Sequence, residues 1–117
     1  DEEGKHDVSG VVALAKMLKV NRTLQYLNLY RCNVQSEGGH ALVQGLAENE
    51  TLIFLEVGNN GLGQPQMRRM AARLDENRAR YERNKEEEGE TRRIMEAEAK
   101  ERKAREDEME KTENLKQ

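Results

Sequence analysis

Cys32 and His40 are the residues of this 117-residue chain best suited to nucleophilic chemistry, a thiol beside an imidazole base. They fall in different parts of one repeating unit. No third group stands by to orient the imidazole and there is no second cysteine, so a structural role for Cys32 is favoured. His6 and His40 are isolated, and the carboxylates are scattered along helix-forming stretches, which gives no metal-ligand spacing. Gly58-Asn59-Asn60-Gly61-Leu62-Gly63 has the glycine content of a phosphate cradle. It lacks the Lys-Ser/Thr that follows in such loops, and reads instead as a turn rich in left-handed residues. Asn21-Arg22-Thr23 and Asn49-Glu50-Thr51 match the glycosylation acceptor pattern. Arg22, Arg31 and the group Arg68, Arg69 and Arg73 would form a positive patch, broken up by Glu48, Glu50, Asp75 and Glu76. No catalytic, cofactor-binding or metal site is expected from these residues, and the chain reads as a non-enzyme.

The two Asn-x-Thr matches have a simpler origin, because they occupy one column of a repeat. Leu18-x-x-Asn21-x-Thr23-Leu24 returns as Leu46-x-x-Asn49-x-Thr51-Leu52 and fades as Leu74-x-x-Asn77, a constant step of 28 residues. Leu24, Leu27 and Leu29 align with Leu52, Leu55 and Val57; Cys32 aligns with Asn60 and Val34 with Leu62. Gly10 aligns with Gly38, and Leu14 with Leu42 and Met70.

Alternation at Leu27 and Leu29, and at Leu55 and Val57, predicts two short strands with one buried face, stacked in parallel. Asn28 and Glu56 then lie side by side on the open face. At the strand exit a buried Asn60 would hydrogen-bond loop backbone groups that have no ladder partner, and Cys32 would fill the same slot as a small buried group. Val11, Leu14, Ala15 and Leu18, and again Gly39, Leu42, Val43 and Leu46, carry helical spacing. Asn21 and Asn49 mark the helix exits, where asparagine tolerates left-handed angles. Pro65 sits near the start of a third helix with Met67, Met70, Ala71 and Leu74 on its inner face.

The motif L-x-x-L-x-L-x-x-C/N-x-V/L, at residues 24–34 and 52–62, resembles that of leucine-rich repeat proteins. At 28 residues the unit is similar to the helix-containing, ribonuclease-inhibitor-like subtype. The resemblance covers about residues 6–77 and implies an α/β fold: a leucine-rich repeat solenoid fragment of parallel strands plus helices, followed by a long C-terminal α-helix. The expected division is 1–77 for the repeats and 78–117 for a charged helical arm. Only two strand motifs are present, and Arg80 and Tyr81 stand where two leucines would fall. The chain is therefore read as the C-terminal end of a longer solenoid, with the apolar edge before residue 8 covered by something outside this sequence.

Residues 78–117 hold 12 Lys/Arg and 13 Asp/Glu, with Gly89 as the one interruption among helix formers. Opposite charges recur four apart at Glu88/Arg92, Glu96/Lys100, Glu98/Arg102, Glu101/Arg105 and Asp107/Lys111. Met67, Leu74, Tyr81, Met95 and Met109 lie at multiples of seven, but the second column of a coiled coil is mostly charged. A solvated single helix is the favoured reading. A helix laid along a partner helix or filament through Ile94, Met95, Ala99 and Met109, dimerisation through the arm, and disorder starting at Gly89 are the alternatives.

A single cysteine excludes an internal disulfide and fits a reducing compartment. No stretch approaches a membrane span or a signal-peptide core. A net charge of −3 with signs interspersed, three tyrosines and one phenylalanine offer neither a basic face nor a stacking platform for nucleic acid. The expectation is a non-enzymatic protein–protein interaction or scaffold module in a larger complex, with no nucleic acid, membrane or cofactor as partner. Its protein-binding residues are expected to be Tyr26, Asn28, Tyr30, Phe54 and Glu56, with Ile94, Met95 and Met109 on the arm. Repeats followed by a long charged helix look like components of cilia, axonemes and other cytoskeletal assemblies, which implies a cytoplasmic or axonemal location. A regulatory role, as small-GTPase activator or enzyme inhibitor, is the alternative that the resemblance implies. The near-neutral arm argues against an activator of the acidic-tailed kind.

Overall fold

A computed structural model describes residues 7–116; His6 lies outside them. The elements run α1 (Ser9–Val20), β1 (Tyr26–Asn28), α2 (Gln35–Ala47), β2 (Phe54–Glu56) and α3 (Gln64–Leu115). The chain divides into two compact units, Asp1–Tyr81 and Glu82–Gln117.

In the first unit β1 and β2 form a two-stranded parallel ladder with Tyr26 opposite Phe54, Leu27 opposite Leu55 and Asn28 opposite Glu56. The 28-residue step sets this register directly. The expectation of a leucine-rich repeat solenoid fragment is nevertheless overturned. Helices of 12, 13 and 52 residues dominate, and the strands are three residues each. Among the described residues no further strand stacks on either side of the pair. The physical reason lies in the third unit. From Gln64 the chain is an unbroken helix, so Arg80 and Tyr81 continue α3 where a third strand would have formed. A solenoid needs each rung buried by neighbours on both sides, and two rungs do not supply that.

The core fills one side of the ladder. Val11, Ala15 and Leu18 of α1, Leu42 and Leu46 of α2, and Met70 and Leu74 of α3 close over Leu29, Val34, Leu52 and Val57. Leu27 and Leu55 are only partly buried. The inner face of α3 is narrower than its apolar content predicts: Met70, Leu74 and Asn77 are buried, whereas Met67 and Ala71 are exposed. The helices α1 and α2 meet closely at Gly45. A Cβ built there would stand 2.5 Å from the Ala15 carbonyl oxygen and 3.1 Å from its carbonyl carbon and Cα. Glycine is the residue that lets the two backbones approach to this distance.

Both strands leave into turns that use the left-handed region. Arg31, Asn33 and Gln35 have φ of 51°, 55° and 57°, and Asn59 and Gly61 have φ of 54° and 67°. These four non-glycine residues in that region carry strain, since an L side chain there costs roughly 1 kcal/mol each. Arg31 is exposed. Arg31→Gly is therefore expected to stabilise the first unit by about 0.5–1 kcal/mol, after allowance for the added freedom of the unfolded chain. Urea titration followed by tyrosine fluorescence measures it, and a destabilised variant would show that the turn is unstrained.

The second unit is helical from Glu82 to Leu115 and exposed along almost its whole length. Glu90 and Arg93 pair at 3.0 Å and Glu101 and Arg105 at 3.9 Å. Such exposed pairs contribute a few tenths of a kcal/mol each. Gly89 does not break the helix, and a Cβ built there would meet only the flexible Arg93 guanidinium, at 3.8 Å. Gly89→Ala is expected to stabilise this helix by about 0.8–1 kcal/mol. Thermal melting by circular dichroism would show the helical signal surviving to higher temperature; an unchanged melt would mean the residues around position 89 are not helical in solution.

Candidate functional site

The open face of the ladder carries the sequence-predicted strand residues. Residues 26, 28, 54 and 56 share one side by the period-two alternation of a strand, opposite the core. Tyr26 and Phe54 are register partners, and their rings lie 6.0 Å apart between centroids at an interplanar angle of 41°. They remain 64% and 46% exposed. This is tilted aromatic packing on a solvent-facing surface.

The next row of that face holds Asn28 and Glu56, and both are fixed by their own backbone. Asn28 Oδ1 accepts from the Tyr30 N–H at 2.9 Å, and Glu56 Oε1 accepts from the Gly58 N–H at 2.7 Å. Each side chain thus closes the turn that ends its strand, a local bond that restricts its rotamers. Tyr30, 49% exposed, is braced across the same turns. Its hydroxyl accepts from Asn59 Nδ2 at 2.6 Å. Its ring also covers Gly58, where an added Cβ would come within 3.3 Å of it. Asn59 and Gly58 were not among the expected site residues. The 28-residue alignment puts Asn59 in the column of Arg31, one step beyond Tyr30, and gives no sign that it reaches the Tyr30 hydroxyl.

Behind this face the asparagine columns hold the units together. Asn60 is buried; its Nδ2 donates to the Leu29, Val57 and Gly58 carbonyls at 2.6, 2.9 and 3.1 Å, and its Oδ1 accepts from the Cys32 and Val34 N–H groups at 2.8 and 3.2 Å. Cys32, expected to be a small buried group in the same column, is exposed, with its Sγ directed at the Tyr30 carbonyl at 3.5 Å. It has no amide with which to cross-link a turn, so nothing draws it inward.

The helix-exit asparagines also work through their side chains. Asn21 follows α1 with extended angles, φ −76° and ψ 134°, and its Oδ1 accepts from the Thr23 and Leu24 N–H groups at 3.0 and 2.7 Å. Asn49 repeats this with Thr51 and Leu52 at 3.0 and 2.7 Å, and its Nδ2 donates back to the Leu18 carbonyl at 2.9 Å. Left-handed tolerance, the property expected to place asparagine here, is not what the position uses. The Asn-x-Thr match follows from this turn, and Asn49 is fully buried with its amide engaged.

Of the arginines expected as a broken patch, Arg73 is put to a structural use. Arg73 Nε and Nη2 donate to the Asn49 carbonyl at 3.0 and 2.8 Å, and Nε also to the Leu46 carbonyl at 3.0 Å, capping the end of α2. Arg78 Nη2 donates to the Ile53 carbonyl at 2.9 Å, and Asn77 Nδ2 to the Leu52 carbonyl at 2.9 Å. Side chains of α3 thereby satisfy carbonyls along the segment entering β2.

On the second unit Ile94, Met95 and Met109 are 50%, 63% and 71% exposed. Met95 and Met109, fourteen residues apart, share a helix face, and Ile94 is turned about 100° from Met95. Among the described residues no group of three His, Cys, Asp or Glu is placed to hold a metal ion, and no helix is long and apolar enough to cross a membrane. No family model matches the chain.

Proposed function

We propose that this chain is a non-enzymatic protein-interaction module whose contact surface is the open face of the β1–β2 ladder. One observation carries the reading. Three of the chain's four aromatic residues, Tyr26, Tyr30 and Phe54, are exposed on or beside that face and held in fixed positions by one another, by Asn59 and by the strand turns. Exposed, pre-ordered aromatics are typical anchors of protein contacts, because ordering them on binding costs little further entropy. Asn28 and Glu56 supply adjacent polar groups that are already oriented. The repeat's resemblance to leucine-rich repeat motifs supports a binding role over catalysis. Participation in a ciliary or other cytoskeletal assembly is a narrower form of this reading and rests only on the order of repeats and charged helix.

The test is a photo-crosslinking residue at position 28 in the protein expressed in cells, followed by affinity measurement with the protein it captures. Tyr26→Ala, Tyr30→Ala and Glu56→Ala combined are expected to weaken that binding at least tenfold, about 1.4 kcal/mol, while circular dichroism stays that of the parent. Undiminished affinity in the triple variant would remove the strand face as the contact surface.

A further inference from the structure

The helical second unit has a surface whose chemistry is symmetric about one residue. Asn84, Glu88, Thr91, Met95, Ala99, Arg102 and Glu106 follow one another at steps of four, three, four, four, three and four, which keeps them within about 40° of one line along the helix. The stretch from Asn84 to Ala99 lines a shallow concavity on that surface. Met95, at the centre of the line from Asn84 to Glu106, is its large exposed apolar residue, and Thr91 and Ala99 flank it at equal distances. Charge reverses sign across the same centre. Residues 85–90 carry four glutamates and Lys85, a net of −3, and residues 100–105 carry four cations and Glu101, a net of +3. Among the described residues, Glu86, Glu87, Glu88, Lys100, Arg102 and Lys103 make no ion pair within 4.0 Å.

We propose that this surface binds a second copy of the chain, with the two helices antiparallel and crossing at Met95. Each residue then faces the one equally far on the other side of Met95: Met95 meets Met95, Thr91 meets Ala99, Glu88 meets Arg102 and Glu87 meets Lys103. The contact is isologous, as a two-fold dimer requires. Thr91 and Ala99 are small enough for the helices to approach, and the methionines fill the crossing point. Parallel pairing puts the acidic blocks against each other and the basic blocks against each other, so the same charges that favour one polarity oppose the other. The apolar area is small and the ion pairs are exposed, so the association is weak, with Kd on the order of 10–100 μM, and it loosens as salt rises.

Sedimentation equilibrium of the full chain at about 0.3 mM in low salt should show dimer, with mass falling toward monomer as salt is raised beyond the range in which exposed charges interact. Glu87→Lys with Glu88→Lys should weaken self-association at least about tenfold, and Arg102→Glu with Lys103→Glu should do the same. An equimolar mixture of the two variants should restore it, which also shows that neither variant has lost its helix. Polarity is read by oxidation in a Cys32→Ser background. Thr91→Cys mixed with Ala99→Cys should form a disulfide-linked pair. Thr91→Cys alone should not, because its two copies lie eight residues, roughly 12 Å, apart along the axis. A monomer at the highest concentration, a dimer indifferent to the charge reversals, or ready cross-linking of Thr91→Cys to itself overturns the proposal.

Discussion

Replacing Asn60 by alanine is expected to lower the stability of the first unit by about 3–4 kcal/mol. The side chain makes five hydrogen bonds to main-chain groups of two successive units, three as donor and two as acceptor. The residue is 4% exposed, so water does not readily take over those roles. Each neutral bond contributes only about 1 kcal/mol net, but the orphaned carbonyls and N–H groups carry their own desolvation penalty. A domain of this size has about 5–10 kcal/mol in total, so the loss is a large share of it. Asn60→Asp separates the two halves of the network, since it keeps the acceptor and turns the donor into an anion facing three carbonyls. It is expected to be no more stable than the alanine variant. Denaturant midpoints read from Tyr26, Tyr30 and Tyr81 fluorescence give the result without interference from the helical second unit. A shift below about 1 kcal/mol in both variants would mean that the turn does not depend on this amide.

Gly45→Ala is expected to cost about 2–3 kcal/mol, although alanine is the better helix former. Intrinsic propensity alone predicts a gain of about 1 kcal/mol at this position in α2. The added methyl would lie 2.5 Å from the Ala15 carbonyl oxygen, a backbone atom that moves only if α1 moves with it. Separating the helices opens gaps around Leu18, Leu42 and Leu46, which are all essentially fully buried. Gly10→Ala is the matched control. Position 10 is also helical, and a Cβ there meets nothing within 4 Å, so propensity decides and the change is neutral or mildly stabilising. If both glycines respond alike, the close approach of α1 and α2 is not real.

Pairing between β1 and β2 was legible in the sequence because the side-chain period of a strand and the 28-residue step together fix a register. The helices were legible for the same reason, from Val11, Ala15 and Leu18 and from Leu42 and Leu46. A solenoid was not, because two rungs read alike whether or not others flank them. The decision fell to Arg80 and Tyr81, which are as compatible with the continuing helix α3 as with an altered strand. Cys32 misled because alignment gives a column and not a depth; the column's work is done by an amide, which a thiol lacks. On the candidate face, Tyr26, Phe54, Asn28 and Glu56 could be placed by alternation. The bracing of Tyr30 by Asn59 could not, because it depends on the left-handed turn that brings residue 59 back beside the preceding unit.

The five-bond amide also gives the molecule a chemical clock. Asn60 is followed by Gly61, and an asparagine–glycine pair in a mobile chain closes readily to a succinimide with loss of ammonia, which water then opens to aspartate or isoaspartate. That ring closure needs the side-chain carbonyl carbon to meet the next backbone nitrogen. An amide pinned on both its nitrogen and its oxygen is held out of that geometry. Ageing at this bond therefore proceeds through the fraction of molecules in which the turn has opened, and its rate reports that fraction. A chain that has aged there lacks the donor that closes the turn, so each passage through the open form converts some molecules irreversibly to a less stable fold.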